Sequence, residues 1–217
     1  MTLSTYSLLS LEELKAELRV KDVEKDTELI ALANTVSEVI EAYLDRQIVT
    51  RGSLTEYHTM EVNGDRIYVP NLCLLDYPVI SVTSIHEDTA WPRTYGASYL
   101  LTSGTDYQTH PPSGTVYRLT SPGAKYVWAR GFRAIKVVYS AGYATTAAVP
   151  NTIKTVAKRL AAVMWEEFKR DVRGISSMSD QVGNFARFGA ARLSEDMQHD
   201  LADERRMRLF ETGERDS

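Results

Sequence analysis

The chain has 217 residues, 43% of them hydrophobic and 25% charged, with a formal net charge of −4 and an isoelectric point near 5.6. That composition excludes global disorder, and the length suffices for one domain with or without an appendage. Mild acidity argues against a protein that grips nucleic-acid phosphates, which needs an extended basic patch, and no apolar run approaches the roughly 18 residues that cross a bilayer.

The opening stretch MTLSTYSLLS has neither the basic region nor the apolar core of a secretory signal. Ser10 and Glu13 then form a capping box ahead of Leu14 and Leu18, which predicts a short helix. A charged turn, Val20 to Lys25, leads to a long amphipathic helix, Asp26 to Gln47. Leu29, Ile30, Ala33, Val36, Ile40, Tyr43 and Leu44 recur three and four apart on it, with Asn34, Glu38, Glu41 and Asp45 opposite. Asp26 is its expected N-cap. An isolated helix of this kind is marginal in water, so a later element must cover its apolar stripe.

From Ser53 to Tyr143 the chain is rich in Val, Ile, Thr and Tyr and is broken by Gly and Pro turns. Strands are expected at Leu54 to Glu61, Arg66 to Val69, Val79 to His86, Tyr99 to Leu101, Thr115 to Leu119 and Ala134 to Tyr139, the first two joined by an Asn63-Gly64 hairpin turn. Cys73 is the sole cysteine, so no internal disulfide forms; flanked by Leu72 and Leu74, it is expected to be buried. Tyr95, Tyr99, Tyr107, Tyr117, Tyr126 and Trp128 either fill a small β core or carry protein contacts on exposed rings, and the sequence leaves both readings open.

Pro150 opens a second long helix, Asn151 to Arg170, with an apolar stripe of Ile153, Val156, Ala157, Leu160, Met164 and Phe168 and with Lys154, Lys158 and Lys169 away from it. This helix is the natural cover for the first. Trp165 falls off the stripe and is read as a second contact or as a ring lying on a neighbouring loop. Asp171 to Gly189 lacks a period and reads as an extended arm. Ser194 caps a last helix running to Phe210 whose stripe, Leu193, Met197 and Leu201, is narrow. Such a helix gains little by folding back, so it is expected to dock on another chain.

No catalytic constellation is present in the sequence. His58, His86, His110 and His199 lack the short spacing of a zinc site, and Glu12-Glu13 and Glu166-Glu167 point to different sides of their helices. Phosphate loops, dinucleotide fingerprints and nucleophile elbows do not occur. The chain is therefore read as a non-enzyme with no catalytic, cofactor-binding or metal residue and no cofactor.

Three stretches carry a family resemblance: DTELIALANTVSEVIEAYLDRQI, DYPVISVTSI at Asp76 to Ile85, and IKVVYSAGYATTAAVPNTIKTVAKRLAAVMWE at Ile135 to Glu166. In this order, with the turn of Tyr139, Gly142 and Tyr143 followed by Pro150, they resemble the head-tail connector, or adaptor, proteins of tailed bacteriophages and prophages. SDQVGNFARF, Ser179 to Phe188, is similar to the stretch that precedes the C-terminus in that family. The β region between Arg51 and Ala134 is larger than in the smallest members.

The resemblance implies an α+β fold in which an antiparallel β domain, 51–145, is inserted between the N-terminal helices, 1–50, and the long helix, 146–172, with a C-terminal arm over 173–217. It implies a homo-oligomeric ring, typically twelvefold, in the virion neck between the portal protein and the stopper or tail. DNA passes the ring without specific binding, and no membrane is involved. Synthesis is expected in the host cytoplasm. In such proteins the C-terminal segment reaches the portal, which makes Phe185, Phe188, Leu193, Met197, Leu201 and Phe210 the docking candidates. For the ring interface the candidates are Glu38 and Glu41 on one subunit and Lys154, Lys158 and Trp165 on the next. A different tail-completion or morphogenesis protein, or a small ligand-binding domain, is the alternative.

Overall fold

The computed structural model describes residues 2–60, 71–120, 124–171, 193–205 and 213–215. The protein is α+β and divides into a helical unit, Met1–Val49 with Thr145–Met207, and a β unit, Thr50–Ala144 with Arg208–Ser217.

In the helical unit, α1 (Leu11–Leu18) starts at the expected capping box. Ser10 Oγ accepts from Glu13 N at 3.1 Å, and Glu13 Oε2 accepts from Ser10 N at 2.9 Å. The long helix α2 (Asp26–Leu44) stops at Asp45, whose φ of 54° is left-handed, three residues before the Gln47 expected from the sequence. Asp26 is its first helical residue and not its cap; the N-cap is Lys25, and the Asp26 carboxylate pairs with Lys15. The buried stripe is Leu29, Leu32, Ala33, Val36, Ile40 and Leu44, while Ile30 and Tyr43 lie half-buried at its edges. Burial of each such Leu or Ile stabilises by about 1.5–3 kcal/mol. Ser37 shares this face because its hydroxyl donates to Ala33 O at 2.7 Å and accepts from Leu8 N at 2.9 Å. That bond seats the buried Leu8 and Leu9 of the N-terminal segment.

Helix α3 (Asn151–Asp171) packs on α1 and α2, the cover the sequence required. All six stripe residues are buried, and so are Ala161 and Trp165. Trp165, 5% exposed, extends the stripe along the 157–161–165 row and lies near-parallel to the Phe168 ring, 5.4 Å between centroids. It is thus a core residue of its own subunit. The last helix, α4 (Glu195–Asp200), is capped by Ser194 as expected but runs only six residues before a 3₁₀ turn, Ala202–Glu204. It does fold back: Met197 and Leu201 are buried, Tyr43 Oη donates to Gln198 O at 3.3 Å, and Arg159 pairs with Asp200 at 2.5 Å. The expectation of a helix with nothing to gain from its own unit is corrected by those contacts.

The β unit holds two antiparallel sheets. One is ordered β3 (Val79–Glu87), β7 (Gly131–Ala141), β1 (Ser53–Met60), β8 (Gly213–Arg215). The other is β2 (Asn71–Cys73), β5 (Thr115–Thr120), β4 (Tyr107–His110), with β6 (Ala124–Lys125) on β5. Entry and exit of the unit are side by side: Ser53 pairs with Ser140, and Thr50 N donates to Tyr143 O at 3.1 Å. Expected strands β1, β3, β5 and β7 form; Tyr99 to Leu101 is instead the end of a 3₁₀ turn, Ala97–Tyr99, followed by one bridge from Leu100 to His86. Arg66 to Val69 and the Asn63-Gly64 turn lie outside the described residues. Alternation along β7 turns Ile135, Val137 and Tyr139 inward to meet Leu72, Leu74, Ile85, Val116 and Trp128. The same alternation along β2 buries Leu72 and turns Cys73 out, so Cys73 is exposed, contrary to expectation.

Candidate interaction surface

Two polar constellations stand out in the β unit, and only one faces solvent. The sealed one centres on Glu56, which with His58, Asp76 and Tyr139 is 0% exposed. Its Oε1 accepts from the Tyr139 hydroxyl and, at 3.0 Å, from Leu75 N, while Oε2 lies 3.0 Å from His58 Nε2. Asp76 N in turn donates to Tyr139 Oη at 3.1 Å. Burial first, and then the Glu56 charge, push the Tyr139 phenol far above its ordinary value, so it stays a donor. Buried polar groups need such partners, and here the network ties residues 74–76 to the sheet. Since all four side chains are sealed, no substrate reaches them.

The open constellation is built around the loop between β3 and the turn at Ala97. Asp88, at the end of β3, is buried, and its carboxylate accepts from three loop amides: Ala90 N at 2.9 Å, Thr94 N at 2.8 Å and Tyr95 N at 3.0 Å. Burial alone raises the pKa of this carboxyl, but those three bonds and the Arg93 charge outweigh it and hold the value below the usual range. Arg93 closes the loop from the other side, its guanidinium donating to Ala90 O at 2.8 Å and to Phe132 O at 3.1 and 3.2 Å. The Tyr95 hydroxyl donates to Arg133 O at 2.7 Å. On this frame Trp91 is 77% exposed, and Phe132, on the strand that the frame grips, is 55% exposed.

Cations lie over two tyrosine rings of the β unit, Tyr57 and Tyr95. The Arg133 guanidinium lies 3.8 Å from the Tyr57 ring centroid, and Lys136 Nζ lies 5.5 Å from Tyr95 and 5.8 Å from Tyr57. The Tyr57 and Tyr95 rings meet at 5.5 Å, and Arg130, just before β7, is exposed. The bonds to Asp88 and Arg93 hold the loop that carries Trp91 in one conformation. Trp91 and Phe132 are the exposed apolar rings of this region.

The residues expected from the sequence are distributed differently. Glu38 is exposed on α2; Glu41 is half-buried and accepts from Ile48 N at 3.0 Å. Lys154 Nζ sits 3.4 Å from Glu13 Oε1, and Lys158 adds to the positive field at Glu13. These lysines therefore serve an acid of their own unit. Leu193 is half-buried, Met197 and Leu201 are in the core, and Phe185, Phe188 and Phe210 lie outside the described residues. His86 is half-buried beside the Lys136 charge, and burial and that charge both lower its pKa; His110 Nδ1 is 2.8 Å from Ser113 Oγ, and His199 is exposed. No group of three metal-binding side chains occurs among the described residues. Of the six weighed aromatics, Trp128 and Tyr107 are core and Tyr126 is exposed. Trp91, Phe132 and their cations carried no periodic signal; a tryptophan inside the turn-like stretch DTAWPRT was the one hint.

No family model matches the chain, and no curated protein matches it in sequence. Its fold is that of solved particle proteins. A chain in the virion of a native gene transfer agent (GTA) particle is 19% identical over 90% of this chain and 95% of that one, with a TM-score of 0.51. A second, from the neck of an empty GTA particle computed with C6 symmetry, is 17% identical over 90% of this chain and 96% of that one, also with a TM-score of 0.51.

Proposed function

We propose that the protein is a structural, non-enzymatic subunit of the neck of a phage-like particle, a head-tail connector that forms a ring between portal and stopper or tail. The observation that carries this reading is the near end-to-end fold correspondence with virion and neck chains, 90% of this chain against 95% and 96% of theirs. The connector resemblance of the sequence supports it independently. In this proposal the ring is twelvefold and extends the DNA channel, whose lining is acidic or neutral, so that DNA slides through without specific contact.

The ring needs a heterologous interface that closes, and the exposed acid Glu38 on α2, with Glu41 three residues on, supplies one side. Docking to the portal is assigned to the C-terminal segment holding Phe185, Phe188 and Phe210, because Met197 and Leu201 are occupied within the subunit. Electron microscopy of the chain mixed with its portal ring tests the reading. Ring density of this fold between portal and tail is the expected result; a chain that ignores the portal and binds tail components alone would replace it with a tail-completion role.

A further inference from the structure

Helix α4 and the 3₁₀ turn after it, Ala202–Glu204, sit on a seat that their own helical unit supplies. Met197 and Leu201 are buried there. Polar contacts ring them: Tyr43 Oη donates to Gln198 O at 3.3 Å, Arg159 Nη1 pairs with Asp200 Oδ2 at 2.5 Å, and Arg46 Nη2 donates to Glu204 O at 3.3 Å and to Glu204 Oε2 at 3.2 Å. The Arg205 guanidinium lies 5.0 Å from the Tyr43 ring centroid. The chain that leads to α4 is longer than this seat requires. Arg159 stands 12 residues before the end of α3, about 18 Å along its axis, and α4 itself adds about 9 Å. About nine extended residues span that distance, whereas 23 residues, 172–194, separate the two helices.

We propose that, in the assembled protein, α4 of one copy takes the seat on α2 and α3 of a second copy of this chain. The reach of the link points to that occupant: 23 extended residues span about 75 Å, about twice the width of a unit whose radius of gyration is about 13 Å. A connection so far beyond what its own ends need is uncommon in a compact unit unless it serves a function. Exchange also costs little here. Every contact of the seat forms identically between copies, so no second set of complementary surfaces is required. The hold within one chain is slight. A six-residue helix and its C-cap bring two buried side chains, and both partners of the Arg159–Asp200 pair are 43% exposed, where an ion pair contributes little. In a closed ring each copy gives one α4 and receives one, and no seat is left open.

The exchange rests on the connector reading only for closure into a ring. Two forms of the full chain are mixed without unfolding, one labelled with heavy nitrogen and one of natural isotope content with a photo-crosslinker in place of Gln198, an exposed side chain. Equal thermal melting checks that the fold is kept. Once native mass spectrometry shows oligomers, crosslinks from position 198 are expected to join α2 or α3 of the labelled copy, and dilution to the monomer is expected to return them to the same chain. A shortened chain lacking residues 175–188 keeps nine of the 23 link residues, enough for its own seat, and is expected to lower the mixed crosslinks at least about tenfold with unchanged melting. The proposal is overturned by oligomers whose crosslinks stay within one isotope, by mixed crosslinks confined to the β unit, by a shortened chain that exchanges as wild type does, or by a chain that stays monomeric at millimolar concentration. Mixed crosslinks to α2 or α3 without ring closure leave the exchange standing and sink the connector ring alone; a ring whose crosslinks stay within one isotope does the reverse.

Discussion

Arg93 grips the carbonyl of Phe132, 39 positions further along the chain, with two nitrogens of its guanidinium at 3.1 and 3.2 Å. This fork fastens an exposed loop to the first residues of β7. A surface that would otherwise need ordering upon contact is already ordered, and Gly131 makes the approach possible.

At Gly131, φ is 139°, and a Cβ there would stand 2.6 Å from Arg93 Nη2. Gly131→Ala is therefore expected to displace the guanidinium and strain the backbone, destabilising the β unit by about 1–3 kcal/mol. Urea denaturation followed by far-ultraviolet dichroism checks it. An unchanged midpoint would show that the fork contributes nothing.

Asp88 gives the same loop an acid limit. Because its folded pKa lies below the ordinary value of 3.8, its contribution is fully present above that value and is lost as pH falls through the folded pKa. Amide hydrogen exchange at Ala90, Thr94 and Tyr95 is expected to accelerate, relative to the intrinsic rate, only below about pH 4. Asp88→Asn should raise exchange at neutral pH and remove the step.

In the sealed network, Tyr139→Phe deletes the hydroxyl that links Glu56 to Asp76 N. It is expected to cost about 1–3 kcal/mol, because buried partners are left without their bonds. A double-mutant cycle with Glu56→Gln should show coupling, and additive losses would mean the two side chains act separately.

Leu201 is 0% exposed although the sequence placed it on a narrow stripe fit for another chain. Leu201→Ala is expected to destabilise the helical unit by about 2–4 kcal/mol in chemical denaturation. A surface docking residue would instead leave stability unchanged and affect only assembly.

Ser10→Ala removes the hydroxyl that caps α1 and should cost about 1 kcal/mol. The burial of Glu13 alone raises its pKa, but the Ser10 amide and Lys154 together hold it low, so part of the capping box should persist above pH 5 and vanish on acidification. Thermal melts of the variant and of wild type across that range read both effects.

The helices were legible because their information is local. A 3.6-residue stripe survives whatever packs on it, and Ser10, Ser194 and Pro150 mark starts within a turn of the residues they affect. Asp26 misled because its carboxylate had a better partner in Lys15, a contact 11 positions away. The strands were half legible. Long β7 shows its alternation, whereas β2, β4 and β6 span only two to four residues, too few for a period to register. Cys73 shows how a hydrophobic neighbourhood misleads in a strand, where adjacent residues face opposite ways. The candidate surface was the least legible, since it joins Tyr57, Asp88, Arg93 and Phe132 through bonds that span 39 positions or depend on sheet register.

The pairing of Ser53 with Ser140 and the bond from Thr50 to Tyr143 also carry a consequence for how such a chain diversifies. The Thr50–Ala144 segment of its sheet unit begins and ends at one doorway, two neighbouring backbones about 5 Å apart, while β8 joins the same sheet from the C-terminal side. A peptide linker of a few residues can bridge that distance. That segment is thus a cassette: another sheet whose ends meet in the same way, and whose edge strand still offers β8 a partner, can replace it with the junctions to Val49 and Thr145 unchanged. The outer surface of the chain can then change by exchange of the cassette, while the residues of α2 and α3 that bury each other are left alone.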